Sequence, residues 1–185
     1  MKKAAVIIAP GFEEGEALTI IDIIRRAGIV CDSVGLTELV VTGAHDITMK
    51  CDKVLSMEIC GCDMIVLPGG IPGATNLRDS DLLMEVLKKM NRVGKYVCAM
   101  CAAPIALERA GVLDGKRFTA YVGYDQKINA GTFLEDEVVI DGNVVTSRGP
   151  ATAYGFAYKL AGLLGGDAEA VQKRMLFDHA FKKEA

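Results

Sequence analysis

Residues 95–111 read KYVCAMCAAPIALERAG, and this stretch decides the fold of the chain. A short apolar run ends in an abrupt turn at Cys101, and a helix opens with Ala102, Ala103 and Pro104. Proline suits the first helical turn because its missing N–H would have had no partner there. A strand that leads directly into a helix places the turn residue at the carboxyl end of a sheet, where open α/β folds build their sites. The stretch therefore predicts an α/β protein with a site at Cys101.

The cysteine at this turn has two interpretations, and the sequence leaves both open. A thiol at a helix N-terminus feels the positive end of the helix dipole, which predicts a lowered pKa and a thiolate. The N–H groups there can also hold an oxyanion, as in a nucleophile elbow, with Ala99 and Ala103 in place of the usual glycines. Alternatively Cys101 is structural, because cysteine is among the most buried residue types. We assign Cys98, three positions earlier, to the strand core.

The composition indicates one globular domain, residues 1–185, with a sizeable core. The sequence is 51% hydrophobic, contains 20 glycines and has a net charge of −3. Without a block of like charge, neither nucleic acid nor an anionic membrane is expected as a partner. The first apolar run is short and ends at Pro10-Gly11, so we expect neither a signal peptide nor a transmembrane segment and predict a cytoplasmic protein.

The sequence has six cysteines, which we expect to be reduced in that compartment. Four of them match the number of ligands in a four-thiolate zinc site, namely Cys60, Cys62, Cys98 and Cys101. We disfavour it, because Cys98 and Cys101 would point to opposite faces of a strand, and redox pairs of this spacing lie at a helix start instead. We therefore expect no metal and no cofactor.

Apolar runs and turn signals predict the order of the elements. The predicted strands are residues 2–10, 29–36, 62–70, 95–100 and 116–123, with a β-excursion in 38–52 and a hairpin in 137–147. The predicted helices are residues 15–28, 79–94, 102–111 and 150–164, and a last helix after Asp167. Alternation of strands and helices implies a mostly parallel sheet with helices on both faces.

The helix at residues 15–28 has an apolar stripe that is too wide for a helix with one wet face. It includes Leu18, Ile20, Ile21, Ile23 and Ile24. Either the helix is buried in a large core, or it packs on the sheet and on a second subunit. We favour the second arrangement, because a domain of this size has few helices that are buried all round.

Four predicted loops follow strands and would share one edge of the sheet: residues 10–16, 68–73, the turn at Cys101 and the segment after Tyr121. The first contains Glu13, Glu14 and Glu16, which either complement the helix dipole or bring one carboxyl to Cys101. A carboxyl beside a thiolate would titrate with it as a pair and keep its proton longer.

Several motifs together resemble the DJ-1/PfpI superfamily, and within it the DJ-1 (ThiJ/YajL-like) branch. They run in order along essentially the whole chain. They are residues 11–16 (GFEEGE), 25–28 (RRAG), 67–70 (LPGG), 98–104 (CAMCAAP) and 146–150 (TSRGP). The resemblance implies a flavodoxin-like three-layer α/β/α sandwich, similar to class I glutamine amidotransferases, and a homodimer.

The resemblance also assigns roles to residues. It implies that Cys101 is the nucleophilic and oxidation-sensitive cysteine, and that Glu16 hydrogen-bonds its sulfur. It implies that the backbone N–H groups of Gly70 and Ala102 bind an oxyanion. Five further positions match residues of the substrate pocket or the dimer interface: Gly69, Tyr121, Arg26, Arg148 and Asp22.

One position departs from the family pattern. Several members have a histidine near the cysteine, after the strand that follows the turn, and here that position is Tyr121. Neither His45 nor His179 matches a family position. A Cys–His dyad is therefore not supported. This weakens a peptidase or amidase interpretation, because those reactions need a general base beside the nucleophile.

The resemblance implies a cofactor-independent cysteine enzyme for reactive 2-oxoaldehydes or their adducts. Such an enzyme would convert methylglyoxal to lactate (glyoxalase III-like, a hydro-lyase) or act as a hydrolase on glycated protein (deglycase-like). The alternative is a redox-sensing protein or chaperone that protects against oxidative stress through oxidation of Cys101, since an accessible thiolate is readily oxidised. An intracellular peptidase is the third possibility, and a fold without chemistry at Cys101 the fourth.

Overall fold

The computed structural model of the protein describes residues 2–181, and its strands form three sheets. The strands are β1 Lys3–Ile8, β2 Val30–Gly35, β3 Val40–Thr42, β4 Thr48–Lys50, β5 Lys53–Val54, β6 Met64–Leu67, β7 Tyr96–Met100, β8 Arg117–Phe118, β9 Thr132–Phe133, β10 Val138–Asp141 and β11 Val144–Ser147. Seven of them form the main sheet in the order β10-β11-β7-β6-β1-β2-β5. Only the hairpin pair β10 and β11 is antiparallel, so the predicted mostly parallel sheet is confirmed.

The helices cover this sheet. They are α1 Glu14–Arg26, α2 Gly73–Asp79, α3 Asp81–Arg92, α4 Pro104–Arg109, α5 Ala153–Leu163, α6 Ala168–Arg174 and α7 Phe177–Phe181. The chain moves one way along the sheet from β1 to β2 and the other way from β6 to β7. Right-handed crossovers in opposite directions place their helices on opposite faces, so α1 and α3 lie in different layers. The predicted flavodoxin-like three-layer fold is confirmed.

The centre of the sheet forms the core. Residues 4–8 of β1, all of β6 and residues 97–100 of β7 are fully buried. These runs are continuously apolar because both of their faces lie under helices. Cys98 is among them, which confirms that it is a strand core residue.

Helix α1 corrects the interpretation of its apolar stripe. Ile20, Ile21, Ile23 and Ile24 are already buried within the chain, because α1 packs on β1 and β2 and also along α5. Of the large apolar residues in the stripe, Leu18 alone is exposed. The width of the stripe therefore reflects a helix that contacts the sheet and a second helix, and it does not require a second subunit.

The segment at residues 116–123 also differs from the prediction. It contributes only the two-residue strand β8, which pairs with β9 in a small separate sheet. Thr119, just beyond β8, is nevertheless tied to the main sheet, because its N–H donates to Oγ1 of Thr146 in β11 at 2.8 Å. The loop that follows therefore still reaches the carboxyl edge of the main sheet, although no main-sheet strand precedes it.

Two local predictions are confirmed and one is corrected. The β-excursion is the antiparallel pair β3 and β4, and the hairpin at 137–147 is β10 and β11. The single last helix is instead two helices, α6 and α7, separated where Leu176 adopts a positive φ of 57°. Within residues 2–181, none of the helices has the length and apolar content needed to cross a bilayer.

The order of the strands locates the site. The direction of the chain along the sheet reverses between β1 and β6, and at such a reversal the loops beyond the carboxyl ends diverge and leave a crevice. The loop after β1 leads into α1, the loop after β6 contains Gly69 and Gly70, and β7, which neighbours β6, ends at Cys101.

Candidate active site around Cys101

Cys101 sits at a rigid corner of the backbone. Its φ is +59°, a left-handed conformation that non-glycine residues rarely adopt. Its N–H donates to the carbonyl of Ser147 at 3.0 Å, and its own carbonyl accepts the N–H of Tyr121 at 2.9 Å. These bonds on both sides hold the strained conformation, which is typical of functional sites. The predicted nucleophile elbow is thus present in geometry, with α4 beginning three residues later at Pro104.

The corner borders a cavity of about 300 Å³. Eight residues line it: Glu13, Gly70, Ile71, Cys101, Ala102, Tyr121, Tyr124 and Pro150. Cys101 is 9% exposed, so its sulfur is mostly buried but can be reached through this cavity. The lining includes no basic side chain and no histidine among the described residues.

The side chain of Glu16 is completely buried beside Cys101. Its Oε2 accepts the N–H of Gly69 at 2.7 Å. Its Oε1 is also buried and has no partner with good hydrogen-bond geometry in the described chain, although the carboxyl and the Cys101 thiol interact. Burial raises the pKa of Glu16 to about 7, against the opposing effects of the Gly69 N–H and the thiol, and the charge of Glu13 adds to the increase. Glu16 can therefore carry a proton near neutral pH.

The thiol of Cys101 does not have the lowered pKa expected from its position before a helix. Burial raises its pKa to about 12, and the carboxylate of Glu16 adds to the increase, while the N–H groups of Gly70 and Ala102 lower it. A thiolate at Cys101 is therefore favoured only when Glu16 holds the proton, so that the two groups share one proton as a coupled pair.

The backbone donors lie where the resemblance places them. The N–H groups of Gly70 and Ala102 both hydrogen-bond Cys101 and favour its charged form. Gly70 has a φ of +90°, and a Cβ on it would lie 2.3 Å from the backbone nitrogen of Glu13. The loop after β6 can approach the loop after β1 because glycine lacks that Cβ. Two N–H groups beside the sulfur can hold the oxyanion that forms when the sulfur adds to a carbonyl.

Gly69 is needed for a different reason. Its N–H binds Glu16, and a Cβ on it would lie 2.6 Å from Cβ and 2.9 Å from Sγ of Cys101. Gly69 therefore packs directly against the side chain of Cys101, where there is no room for a Cβ.

The three acidic residues of the first loop have three separate roles. Glu16 faces Cys101, and Glu13 lines the cavity. Glu14 is buried, and its carboxylate accepts the N–H of His45 at 2.7 Å and contacts His45 Nδ1 at 2.9 Å. Glu14 therefore anchors the turn between β3 and β4, and His45 lies outside the cavity lining.

Tyr121 and Arg148 lie at a second cavity of about 370 Å³, which shares Tyr121 and Pro150 with the first. Tyr121 is 48% exposed. Arg148 donates from Nη1 to the carbonyl of Glu135 at 2.9 Å and does not line the Cys101 cavity. Arg148 therefore borders the neighbouring cavity and not the one that contains Cys101.

Asp22 and Arg26 form an exposed ion pair of 2.7 Å near the carboxyl end of α1, and neither lines the Cys101 cavity. The assignment to the pocket is therefore not supported for this pair, and its position at a dimer interface stays a prediction.

Three lining residues were missed by sequence reasoning: Ile71, Tyr124 and Pro150. Ile71 follows the LPGG motif directly and Pro150 ends the TSRGP motif, so proximity to those motifs could have indicated both. Tyr124 lies in the segment after Tyr121 that was expected at this edge, but no motif singled it out. It is part of a turn, with its N–H donating to the carbonyl of Tyr121 at 3.0 Å.

The four cysteines considered for zinc do not converge. In residues 2–181, the group of three or more potential metal ligands that comes together is Glu13, Glu14 and His45, which includes none of them. Cys98 and Cys101 are separated by the strand, since Cys98 points into the core and Cys101 borders the cavity.

Comparison with known proteins agrees with this geometry. A model of the DJ-1/PfpI family matches residues 2–162. The chain is 39% identical over 176 residues to protein dj-1beta of Drosophila melanogaster, covering 93% of this chain and 94% of that protein. The crystal structure of Drosophila DJ-1beta matches with a TM-score of 0.89 at 38% identity, covering 95% of this chain and 97% of that one.

Two further similarities concern function. Oxidized DJ-1 of Toxoplasma gondii matches with a TM-score of 0.90 at 34% identity, covering 95% of this chain and 98% of that one. The deglycase PfpI of Pyrococcus furiosus is 38% identical over 128 residues, covering 68% of this chain and 76% of that protein.

The Gly69→Ala variant should disturb both stability and the reactivity of Cys101. Its Cβ cannot fit at 2.6 Å from Cys101 Cβ, and overpacking of this kind costs about 1–3 kcal/mol in free energy of unfolding. A displaced sulfur also loses its N–H donors, so iodoacetamide should alkylate Cys101 more slowly. Urea unfolding and mass spectrometry measure the two effects. Gly61→Ala is the matched control, because nothing lies within 4 Å of a Cβ there, and equal effects in both variants would contradict the role of Gly69.

The buried carboxyl of Glu16 should make stability depend on pH. Its pKa is about 7 in the folded protein against an ordinary 4.5, so between these values the folded state binds more protons than the unfolded state. Stability should therefore fall as pH rises through this window, by up to roughly 3 kcal/mol. Glu16→Gln keeps an acceptor for Gly69 but cannot ionise, and should lose this dependence. Urea unfolding at about pH 5 and about pH 8, in a Cys101→Ala background that removes the coupled thiol, measures it. The same pH dependence with Glu and with Gln would show that Glu16 is not its source.

Proposed function

This chain belongs to the DJ-1/PfpI family, and on that premise we propose that it is a cofactor-independent cysteine enzyme that acts on reactive 2-oxoaldehydes or their adducts. The observation that carries the proposal is the pairing of Cys101 with the buried carboxyl of Glu16, beside the N–H groups of Gly70 and Ala102. This pair supplies a nucleophile and a proton carrier, and the backbone supplies an oxyanion site.

The first step forms a bond between sulfur and carbon. The thiol proton moves to Glu16, and the thiolate attacks the aldehyde carbon. The electron pair of the C=O bond moves to oxygen, which the Gly70 and Ala102 N–H groups stabilise. The oxygen then takes the proton from Glu16, which leaves a hemithioacetal and returns Glu16 to its carboxylate form, ready to act as a base.

The second step moves hydrogen between adjacent carbons. Glu16 removes the proton from the former aldehyde carbon, and the electrons shift to the neighbouring carbonyl oxygen, which gives an enediolate. The hydroxyl proton on the first oxygen then moves to the second oxygen, and Glu16 returns its proton to the second carbon while the C=O bond of the thioester forms at the first carbon. One carbon is oxidised and its neighbour reduced, so no external electron acceptor is needed. The product is a thioester of a 2-hydroxy acid, which water cleaves to free the thiol. Methylglyoxal would give lactate in this way.

The cavity supports a small uncharged substrate. Its volume of about 300 Å³ suits an aldehyde of a few carbons, and the acidic side chain of Glu13 on its lining disfavours an anion. A protein-bound adduct is the other substrate class, since the cavity opens beside Ile71, which is 59% exposed. The relative named deglycase PfpI supports that second class.

A peptidase is less well supported. The described cavity lining contains no histidine, and His45, although 3.7 Å from Glu13, is hydrogen-bonded to Glu14 and does not line the cavity. The chemistry proposed above needs only a thiolate and one proton carrier. A thiol enzyme also needs a reduced cysteine, so we place its activity in the reducing cytoplasm. The family resemblance further implies that the enzyme works as a homodimer.

Turnover by variants tests the enzymatic proposal. Cys101→Ala should abolish conversion of methylglyoxal to lactate, and Glu16→Gln should lower kcat by about 100-fold or more, because proton transfer by a positioned group contributes that much. Lactate formation by purified protein, without glutathione or added metal, measures both. Cys60→Ser is the control thiol variant, because Cys60 lies outside the cavity lining. Near-normal turnover in Cys101→Ala would exclude the mechanism.

A second candidate function is redox sensing through Cys101. The buried Oε1 of Glu16 lacks a partner, and a protonated carboxyl could donate from it to an oxygen added to the sulfur. The same coupled pair serves both functions, because each begins with a thiolate.

Mild oxidation by hydrogen peroxide should therefore add two oxygen atoms to Cys101, giving a sulfinic acid. Intact-mass and peptide mass spectrometry locate the addition. Cys60 is an internal control, because it is more exposed than Cys101 but has no carboxyl paired with it. Oxidation of Cys60 before Cys101 would argue that exposure alone decides the reaction.

A further inference from the structure

Tyr124 has a hydroxyl group without a partner at the Cys101 cavity. The residue is 9% exposed and lines that cavity. Within residues 2–181, its hydroxyl makes no hydrogen bond to protein. The hydroxyl oxygen is also not among the fully buried unpartnered atoms of the described residues, so it is open to a hydrogen bond from a molecule bound beside it.

The rest of Tyr124 is held firmly. Its N–H donates to the carbonyl of Tyr121 at 3.0 Å, and its carbonyl accepts the N–H groups of Lys127 and Ile128, each at 3.0 Å. The ammonium group of Lys127 lies 4.2 Å from the centre of its ring, in a cation–π contact. A fixed ring with a free hydroxyl is a preorganised hydrogen-bond donor.

The hydroxyl also belongs to the same electrostatic site as the sulfur. Burial raises the pKa of Tyr124, and the charge of Cys101 adds to the increase. The phenol therefore stays protonated throughout the neutral range and can donate. No basic side chain and no histidine line the described cavity, which leaves Tyr121 and Tyr124 as its side-chain hydroxyl donors, and Tyr121 is 48% exposed.

The proposed chemistry has one oxygen without a donor. The Gly70 and Ala102 N–H groups lie beside the sulfur and hold the oxygen of the carbon that it attacks. When Glu16 removes the proton from that carbon, the electrons shift to the second carbonyl oxygen, which is negatively charged until it takes the hydroxyl proton of the first oxygen. A donor at this oxygen would stabilise the intermediate more than the bound substrate.

We infer that Tyr124 donates a hydrogen bond to the second oxygen of a 2-oxoaldehyde bound to Cys101 and thereby selects substrates with two adjacent carbonyl groups. This assignment rests on the proposed function, and no proton leaves Tyr124 in it. The selectivity lies in the extra oxygen, because an ordinary aldehyde has nothing to accept this hydrogen bond.

The test compares methylglyoxal with propanal, which has the same three-carbon chain but lacks the second oxygen. Both aldehydes are expected to add reversibly to Cys101. The concentration of each aldehyde that protects Cys101 from iodoacetamide measures adduct formation, and this readout does not depend on lactate formation. Tyr124→Phe should weaken protection by methylglyoxal about 2- to 10-fold and leave protection by propanal unchanged, as expected for one lost hydrogen bond. Tyr96→Phe, at the opposite end of β7, is the control.

Turnover supplies a second readout. A hydrogen bond to a charged oxygen is stronger, so kcat of Tyr124→Phe for methylglyoxal should fall about 10- to 100-fold, more than KM rises. Unchanged protection by methylglyoxal, or equal weakening for both aldehydes, would overturn the role of Tyr124. If methylglyoxal protects Cys101 of the wild-type protein but no lactate forms, the proposed enzymatic activity alone is overturned. The comparison of protection by the two aldehydes still tests the role of Tyr124 in that case. Absence of protection in the wild type would overturn both.

Discussion

The burial of the Glu16 carboxyl is the constraint on which the rest of the site depends. A carboxylate without full hydrogen bonding is costly to bury, and Glu16 has one N–H donor at Oε2 and none at Oε1. A raised pKa reduces this cost, because the carboxyl is partly neutral near pH 7, and it lets Glu16 take up the proton that the thiol loses. The reactivity of Cys101 therefore depends on its neighbour more than on its position before a helix.

The topology of the sheet brings this pair together. Glu16 follows β1, Gly69 follows β6 and Cys101 follows β7, so residues far apart in sequence meet at one edge of a parallel sheet. The close approach of these loops requires positions without a Cβ, which Gly69 and Gly70 provide. Tyr121 shows that a loop can join this edge without a preceding main-sheet strand, since its N–H bonds directly to the carbonyl of Cys101.

Several predictions were right because the pattern that carried them is local. The buried run of β1 and the hairpin between β10 and β11 each depend on neighbouring residues, and both were predicted. The short β8 was mistaken for a main-sheet strand because an apolar run does not reveal its pairing partner. The stripe of α1 was misinterpreted for the same reason, since its second partner α5 lies more than a hundred residues away.

By itself, the sequence determined the class of fold, the corner at Cys101 and, through its motifs, the identity of Glu16 as the partner carboxyl. Only the tertiary structure decided how the three acidic residues divide their roles, with Glu14 anchoring a turn, Glu13 lining the cavity and Glu16 buried. It also decided the direction of the pKa change at Cys101 and the presence of Tyr124 at the cavity. The physical reason is that periodicity and motifs report on bonded neighbours, whereas desolvation, charge coupling and cavity lining depend on distances between segments that only folding brings together.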